Sequence, residues 1–166
     1  MRVLGIDPGV ARTGFAVIER TPKGPKALEI GVIQTPGSLA HEERLATLFE
    51  RITEILRATA PEALAIERLF FNANVRTAMA VGQASGVTLL AAAMAGLAVT
   101  HYTPTEVKQS VVGVGSADKA QVQAMVKAVL GLAAVPRPAD AADACALAIC
   151  HINRAGLARA IKAASA

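Results

Sequence analysis

The 166-residue chain predicts an α/β fold, a five-stranded mixed sheet flanked by helices. Three observations carry this. Three strand-like runs open the chain, and short turn-rich links join them, as in antiparallel hairpins. Two later apolar runs alternate with helical segments, as the strands of a parallel sheet do. Hydrophobic content is 53% but aromatic content only 3%, so the core must be built from Ala, Val, Leu and Ile.

The opening strands fall at about Arg2–Asp7, Thr13–Arg20 and Lys26–Thr35, linked by Pro8-Gly9-Val10-Ala11-Arg12 and Thr21-Pro22-Lys23-Gly24-Pro25. A helix follows from about His41 to Ala58, with Leu45, Leu48, Phe49, Ile52, Ile55 and Leu56 on one stripe, and Pro61 ends it. Next come a buried strand at Ala63–Glu67, a helix at Val75–Ala95 and a fifth strand at Leu97–Tyr102. Helices are expected at about Thr105–Val112, Ala117–Leu130 and Ala139–Ala155. Residues 1–156 are read as one domain, since no linker or repeat interrupts them, and residues 157–166 as a basic tail.

A net charge of +4 is a mild basic excess that suits a polyanionic partner without identifying one. Cys145 and Cys150 share one helix at a spacing that forms neither a disulfide framework nor a Cys-x-x-Cys pair, which suggests buried thiols in a reducing, cytoplasmic setting. No long apolar run precedes the first acid, so no secretory signal is expected. Thr77 to Thr100 is uncharged and long enough to span a bilayer, yet Gln83, Ser85, Thr88 and three glycines make it a better buried helix than a membrane span.

The chemistry-bearing residues are acids. Asp7 closes Val3-Leu4-Gly5-Ile6 and is followed by Pro8-Gly9, which forces a turn and leaves its carboxylate at a strand's C-terminal end. Glu67 closes Ala63-Leu64-Ala65-Ile66 in the same way, and open α/β sheets bind ligands at such ends. Asp140 and Asp143, three residues apart, share one face at the start of an Ala-rich helix. Asp140 alone reads as a helix cap, but Asp143 is surrounded by apolar residues, where an unpaired charge is costly. Mg²⁺ or Mn²⁺ favours oxygen ligands, and two such ions about 3.5–4 Å apart can clamp the attacking and leaving oxygens of a phosphodiester. The three histidines, His41, His101 and His151, have no paired spacing and read as structural or surface groups.

Several motifs occur in one order along the chain: Gly5-Ile6-Asp7-Pro8-Gly9 with Thr13-Gly14, Ile66-Glu67-x-x-Phe70, Gly82-Gln83-Ala84-x-Gly86-Val87, Val107-Lys108-Gln109, Val111-Val112-Gly113-x-Gly115-Ser116-Ala117-x-Lys119 and Asp140-Ala141-Ala142-Asp143-Ala144. Together they resemble the RuvC Holliday-junction resolvases. The resemblance implies a ribonuclease-H-like fold, a homodimer, symmetric Mg²⁺- or Mn²⁺-dependent nicking of a four-way DNA junction, and cooperation with the RuvA and RuvB branch-migration proteins. It assigns Asp7, Glu67, Asp140 and Asp143 to metal binding and catalysis, Lys108 and Lys119 to the phosphates, and Phe70 to the junction bases. Ser85 departs from the family pattern, which commonly carries Arg there, so that phosphate contact is either missing or supplied by a neighbour such as Arg68 or Arg76.

The residues themselves fit these roles. Lys119 follows the glycine-rich Gly113-Val114-Gly115-Ser116, and its ammonium can neutralise phosphate or transition-state charge. Phe70 and Phe71, followed by Asn72 and Asn74, suit an exposed loop that stacks on splayed bases. Ala78, Gly82 and Gly86 allow close approach of the sheet or of a second subunit. Three other readings stay open: a nuclease acting on structured RNA, an actin-like ATPase using Gly5–Gly9 as a phosphate loop, and a non-catalytic module that binds branched DNA.

Overall fold

The computed structural model describes residues 1–68 and 75–164, excluding the side chains of 75–77, 159, 160 and 162–164. Five strands, β1 (Arg2–Asp7), β2 (Arg12–Thr21), β3 (Gly24–Gln34), β4 (Ala63–Glu67) and β5 (Val99–Tyr102), form one sheet in the order β3-β2-β1-β4-β5. β1 to β3 pair antiparallel, whereas β4 is parallel to both β1 and β5. β1 is therefore the seam between the two halves. The helices are α1 (His41–Thr59), α2 (Val75–Met94), α3 (Pro104–Val112), α4 (Lys119–Val129) and α5 (Ala139–Ala164).

Strand alternation divides the core in two. Leu4, Ile6, Phe15, Val17, Leu64 and Ile66 pack on one face with α1 and α2. Val3, Ala16, Ile18 and Ala65 face α3, α4 and α5 on the other. Leu147 and Ile149 of α5 are at most 1% exposed, and burying each removes about 1.5–3 kcal/mol worth of apolar surface from water. Among the described residues no helix is long and apolar enough to cross a membrane, so Thr77–Thr100 supplies no such span.

Cap chemistry explains where element boundaries differ from expectation. Gly96, at φ 67°, lets Leu97 N–H reach the Ala92 carbonyl at 2.9 Å, so Leu97 closes α2 and β5 starts only at Val99. Thr103 accepts from Glu106 N–H while the Glu106 carboxylate accepts from Thr103 N–H, which starts α3 at Pro104. Asp118 and Gln121 form the same reciprocal cap, leaving Ala117 outside α4 and making Lys119 its first residue. α5 runs past Ala155 and Gly156 to Ala164, and the Arg20 guanidinium packs where a Cβ at 156 would stand.

Candidate active site

The acids converge because of strand register and two glycines. Ile6 pairs with Ile66 across the parallel β1–β4 ladder, so Asp7 and Glu67, the next residue on each strand, end at the same edge of the sheet. Alternation turns both toward α5. That helix lies directly on the strands: a Cβ at Gly5 would overlap the Ala144 carbonyl oxygen, and one at Gly14 would overlap the Asp140 carbonyl oxygen. Gly14 is the β2 partner of Asp7, so the first turns of α5 carry Asp140 and Asp143 to the same edge.

The electrostatics record this crowding. Burial, followed by the charges of Asp143, Glu67 and Asp140, pushes the Asp7 carboxyl up to about 7, while Lys119 opposes the rise. Burial and Asp143 likewise raise Glu67. Lys119 Nζ donates to Asp143 Oδ2 at 2.7 Å, and this hydrogen bond raises the lysine's own pKa. Asp140 Oδ2 lies 3.5 Å from Arg12 Nε. Among the described residues no three His, Cys, Asp or Glu groups already surround a single ion position. The donor set is nonetheless all hard carboxylate oxygen, with mutual repulsion that a divalent cation relieves, and in chemistry it fits Mg²⁺ or Mn²⁺.

A cavity of about 260 Å³ opens beside the acids, with Glu67 and Asp143 on its wall and Lys108 and Lys119 beside them. Five of the expected site residues other than Lys108 thus gather in one place, Asp7, Glu67, Asp140, Asp143 and Lys119, and Lys108 joins them from α3. Phe70 lies outside the described residues, as does the side chain of Arg76. Ser85 is only 3% exposed, so this position faces the core rather than DNA, while Arg68 is exposed just beyond β4. The histidines are not gathered at the acids: His41 Nε2 meets Gln83 Oε1 at 2.8 Å, His101 is exposed, and His151 Nδ1 meets the Tyr102 hydroxyl at 3.0 Å. Sequence reasoning missed Arg12. Its one available signal was position, as the residue that opens the strand paired with β1 immediately after the turn from Asp7.

A five-stranded mixed sheet flanked by helices, with an acidic cluster at one edge under α5, defines a ribonuclease-H-like α/β protein. The sequence model described as "Crossover junction endodeoxyribonuclease RuvC" matches residues 3–151. The chain is 52% identical over 151 residues to the protein of that name from Chloroflexus aggregans, covering 91% of this chain and 92% of the relative. It is also 52% identical over 153 residues to the one from Moorella thermoacetica, covering 92% of each. Among solved structures, RuvC of Thermus thermophilus superposes with a TM-score of 0.89 at 38% identity, covering 95% of this chain and 97% of that one. The same protein in complex with a Holliday junction substrate gives 0.90 at 38% identity, covering 95% and 96%. The yeast mitochondrial Holliday junction resolvase Ydc2, with a TM-score of 0.67 at 15% identity over 92% of this chain and 78% of that one, shares the fold. The chain belongs to the RuvC family of crossover junction endodeoxyribonucleases, and it is an endonuclease.

Proposed function

We propose that the chain resolves four-way (Holliday) DNA junctions by paired, metal-dependent nicking, with Asp7, Glu67, Asp140 and Asp143 as the metal-holding acids. The observation that carries this reading is the convergence of these carboxylates, where burial and then the neighbouring acids push Asp7 up to about 7, a repulsion that a bound divalent cation would relieve. Two Mg²⁺ or Mn²⁺ ions per site would supply an activated water and stabilise the leaving 3′-oxygen.

The chain's own groups have distinct tasks. The carboxylates at the ends of β1 and β4 would hold the ions at a fixed place relative to the sheet. Lys119 serves as the counter-ion of Asp143 before substrate arrives, and it is placed to neutralise phosphate charge afterwards. Lys108 lines the same cavity and shares that task. Phe70 and Arg76 are assigned to contacts with the splayed junction strands. No histidine or serine nucleophile is required.

A junction of near two-fold symmetry calls for two sites related by a matching axis, which a homodimer provides. The face of α2 that exposes Met79, Leu90 and Met94, with open space at Gly86, supports a second copy as the partner there. RuvA and RuvB belong to the same reading as partners that deliver the junction.

The test is a synthetic four-way junction incubated with the protein, with and without Mg²⁺ or Mn²⁺, with product length read on a denaturing gel. Symmetric nicks only with metal are expected. Cleavage of the equivalent RNA junction at an equal rate would favour a structured-RNA nuclease, and binding without scission would favour a non-catalytic module.

A further inference from the structure

A second cavity, of about 340 Å³, flanks the acids on the side away from Lys108 and Lys119, and the mechanism above makes no use of it. It lies against the β1–β2 turn, and Arg12, His41, Arg44 and Asp140 are among the residues that line it. Its frame is well tied. The Thr13 hydroxyl donates to the Gly9 carbonyl at 2.7 Å and accepts from Gly9 N–H at 3.2 Å, which fixes the turn. The Thr35 hydroxyl, 6% exposed, donates to the Val10 carbonyl at 2.5 Å and accepts from Arg44 Nε at 2.9 Å. One buried hydroxyl therefore anchors both the turn and the guanidinium.

The charge balance is informative. Two guanidinium groups, Arg12 and Arg44, line this cavity against one carboxylate, Asp140. Arg12 is paired with Asp140, but Arg44 forms no ion pair among the described residues. Its Nε is held by Thr35, and the terminal nitrogens keep their fork of donors, a geometry suited to two phosphate oxygens. Asp140 belongs to this cavity and also to the charges around Asp7, so a ligand held here is the immediate neighbour of one held by the acids.

We infer that the Arg12–Arg44 cavity is a subsite for the DNA phosphodiester next to the scissile one. The inference rests on reading the chain as a junction nuclease. The cut strand then crosses the acids between two cationic cavities, one with Lys108 and Lys119 and the other with Arg12 and Arg44.

The experiment compares junction binding by the wild type, Arg44→Gln and Arg44→Lys in EDTA, across about 50–200 mM salt. Arg44→Gln should bind roughly tenfold more weakly and flatten the salt slope by about one phosphate contact. Arg44→Lys should keep the slope because it keeps the charge. A scan with neutral methylphosphonates, one position at a time around the cut, gives the location. Wild type should lose affinity when the flanking phosphate is neutralised, and Arg44→Gln should be indifferent there while remaining sensitive elsewhere. Melting curves confirm that each variant is folded. If Arg44→Gln unfolds, the scan on the folded Arg44→Lys decides: an undiminished wild-type response at the flanking phosphate in both proteins supports the subsite, and no response in either overturns it. A wild type that ignores the junction, or binds with a flat salt slope, defeats the nuclease reading itself. A steep wild-type slope with an unchanged slope and scan in Arg44→Gln overturns the subsite alone.

Discussion

Gly5 of β1 and Ala144 of α5 touch through their backbones: a Cβ on the glycine would overlap the alanine carbonyl oxygen and come within 2.9 Å of Ala148 N–H. Neither contact atom belongs to a side chain that could swing aside. The distance between helix and sheet, and with it the height of Asp143 above Asp7, is set by this missing methyl group.

Gly5→Ala should therefore lift the N-terminal half of α5. Forcing a methyl into a packed core costs about 1–3 kcal/mol, or more where backbone must move. A lower melting temperature together with a loss of cleavage beyond the unfolded fraction is expected. Wild-type activity at full stability would show that the helix position is not critical.

The Asp7 carboxyl makes stability depend on pH. Its pKa rises on folding from 3.8 to about 7, so the protonated form favours the fold. That contribution is fully present below about pH 4 and is lost as pH rises through about 7. Each pKa unit is worth about 1.4 kcal/mol, so the loss is on the order of 2–4 kcal/mol without divalent cations. Asp7→Asn should flatten this fall, remove cleavage and leave junction binding intact. Thermal melts from pH 4 to 8 in EDTA check the first point, and a gel assay the others. A stability curve with the same fall in the variant would assign the pH dependence to another group.

Removing the ammonium tests the division of labour between cation and acids. Lys119→Ala should slow single-turnover cleavage by about 10²–10³-fold, the usual cost of losing one preorganised electrostatic donor. The 2.7 Å contact with Asp143 adds a second expectation: the freed carboxylate should bind Mn²⁺ at least as tightly as before, measurable by calorimetry. If Lys119→Ala is as fast as wild type, and the double variant with Lys108→Ala matches Lys108→Ala alone, the lysine has no part in cleavage beyond its pairing with Asp143.

The apolar face of α2 gives a fourth test. Leu90→Glu combined with Met94→Glu, at positions 54% and 72% exposed, should abolish dimerisation with little change in monomer stability. Sedimentation at several concentrations reads the outcome. A dimer that persists would place the contact elsewhere.

Much of this architecture was legible in the sequence, for identifiable reasons. Asp7 and Glu67 each end an apolar run at a turn, a local pattern that survives folding. Asp143 stood out as a charge among alanines. What local pattern could not supply was the junction between distant segments. Nothing near Gly14 announces that Asp140 will rest on it, and the exposed Lys119–Asp143 bond joins two helices distant in the chain. Arg12 and Arg44 escaped notice because arginines in a turn and on an amphipathic helix look like ordinary solvated charge. Their meaning lies in Thr35, a buried hydroxyl that ties the turn to the helix. Cap chemistry, rather than hydrophobic periodicity, decided the ends of α2, α3 and α4.

The sheet's own acids are complete once β4 has formed, whereas Asp140 and Asp143 arrive with the last helix of the chain. Synthesis from the N-terminus delivers two of the four clustered acids early and the other two only when α5 emerges and docks on β1 and β2. A nascent or truncated chain lacking α5 has Asp7 and Glu67 but no means of completing the centre. If the four acids act together as proposed, the order of residues works as a safety catch: their cluster stays incomplete until α5 has been made.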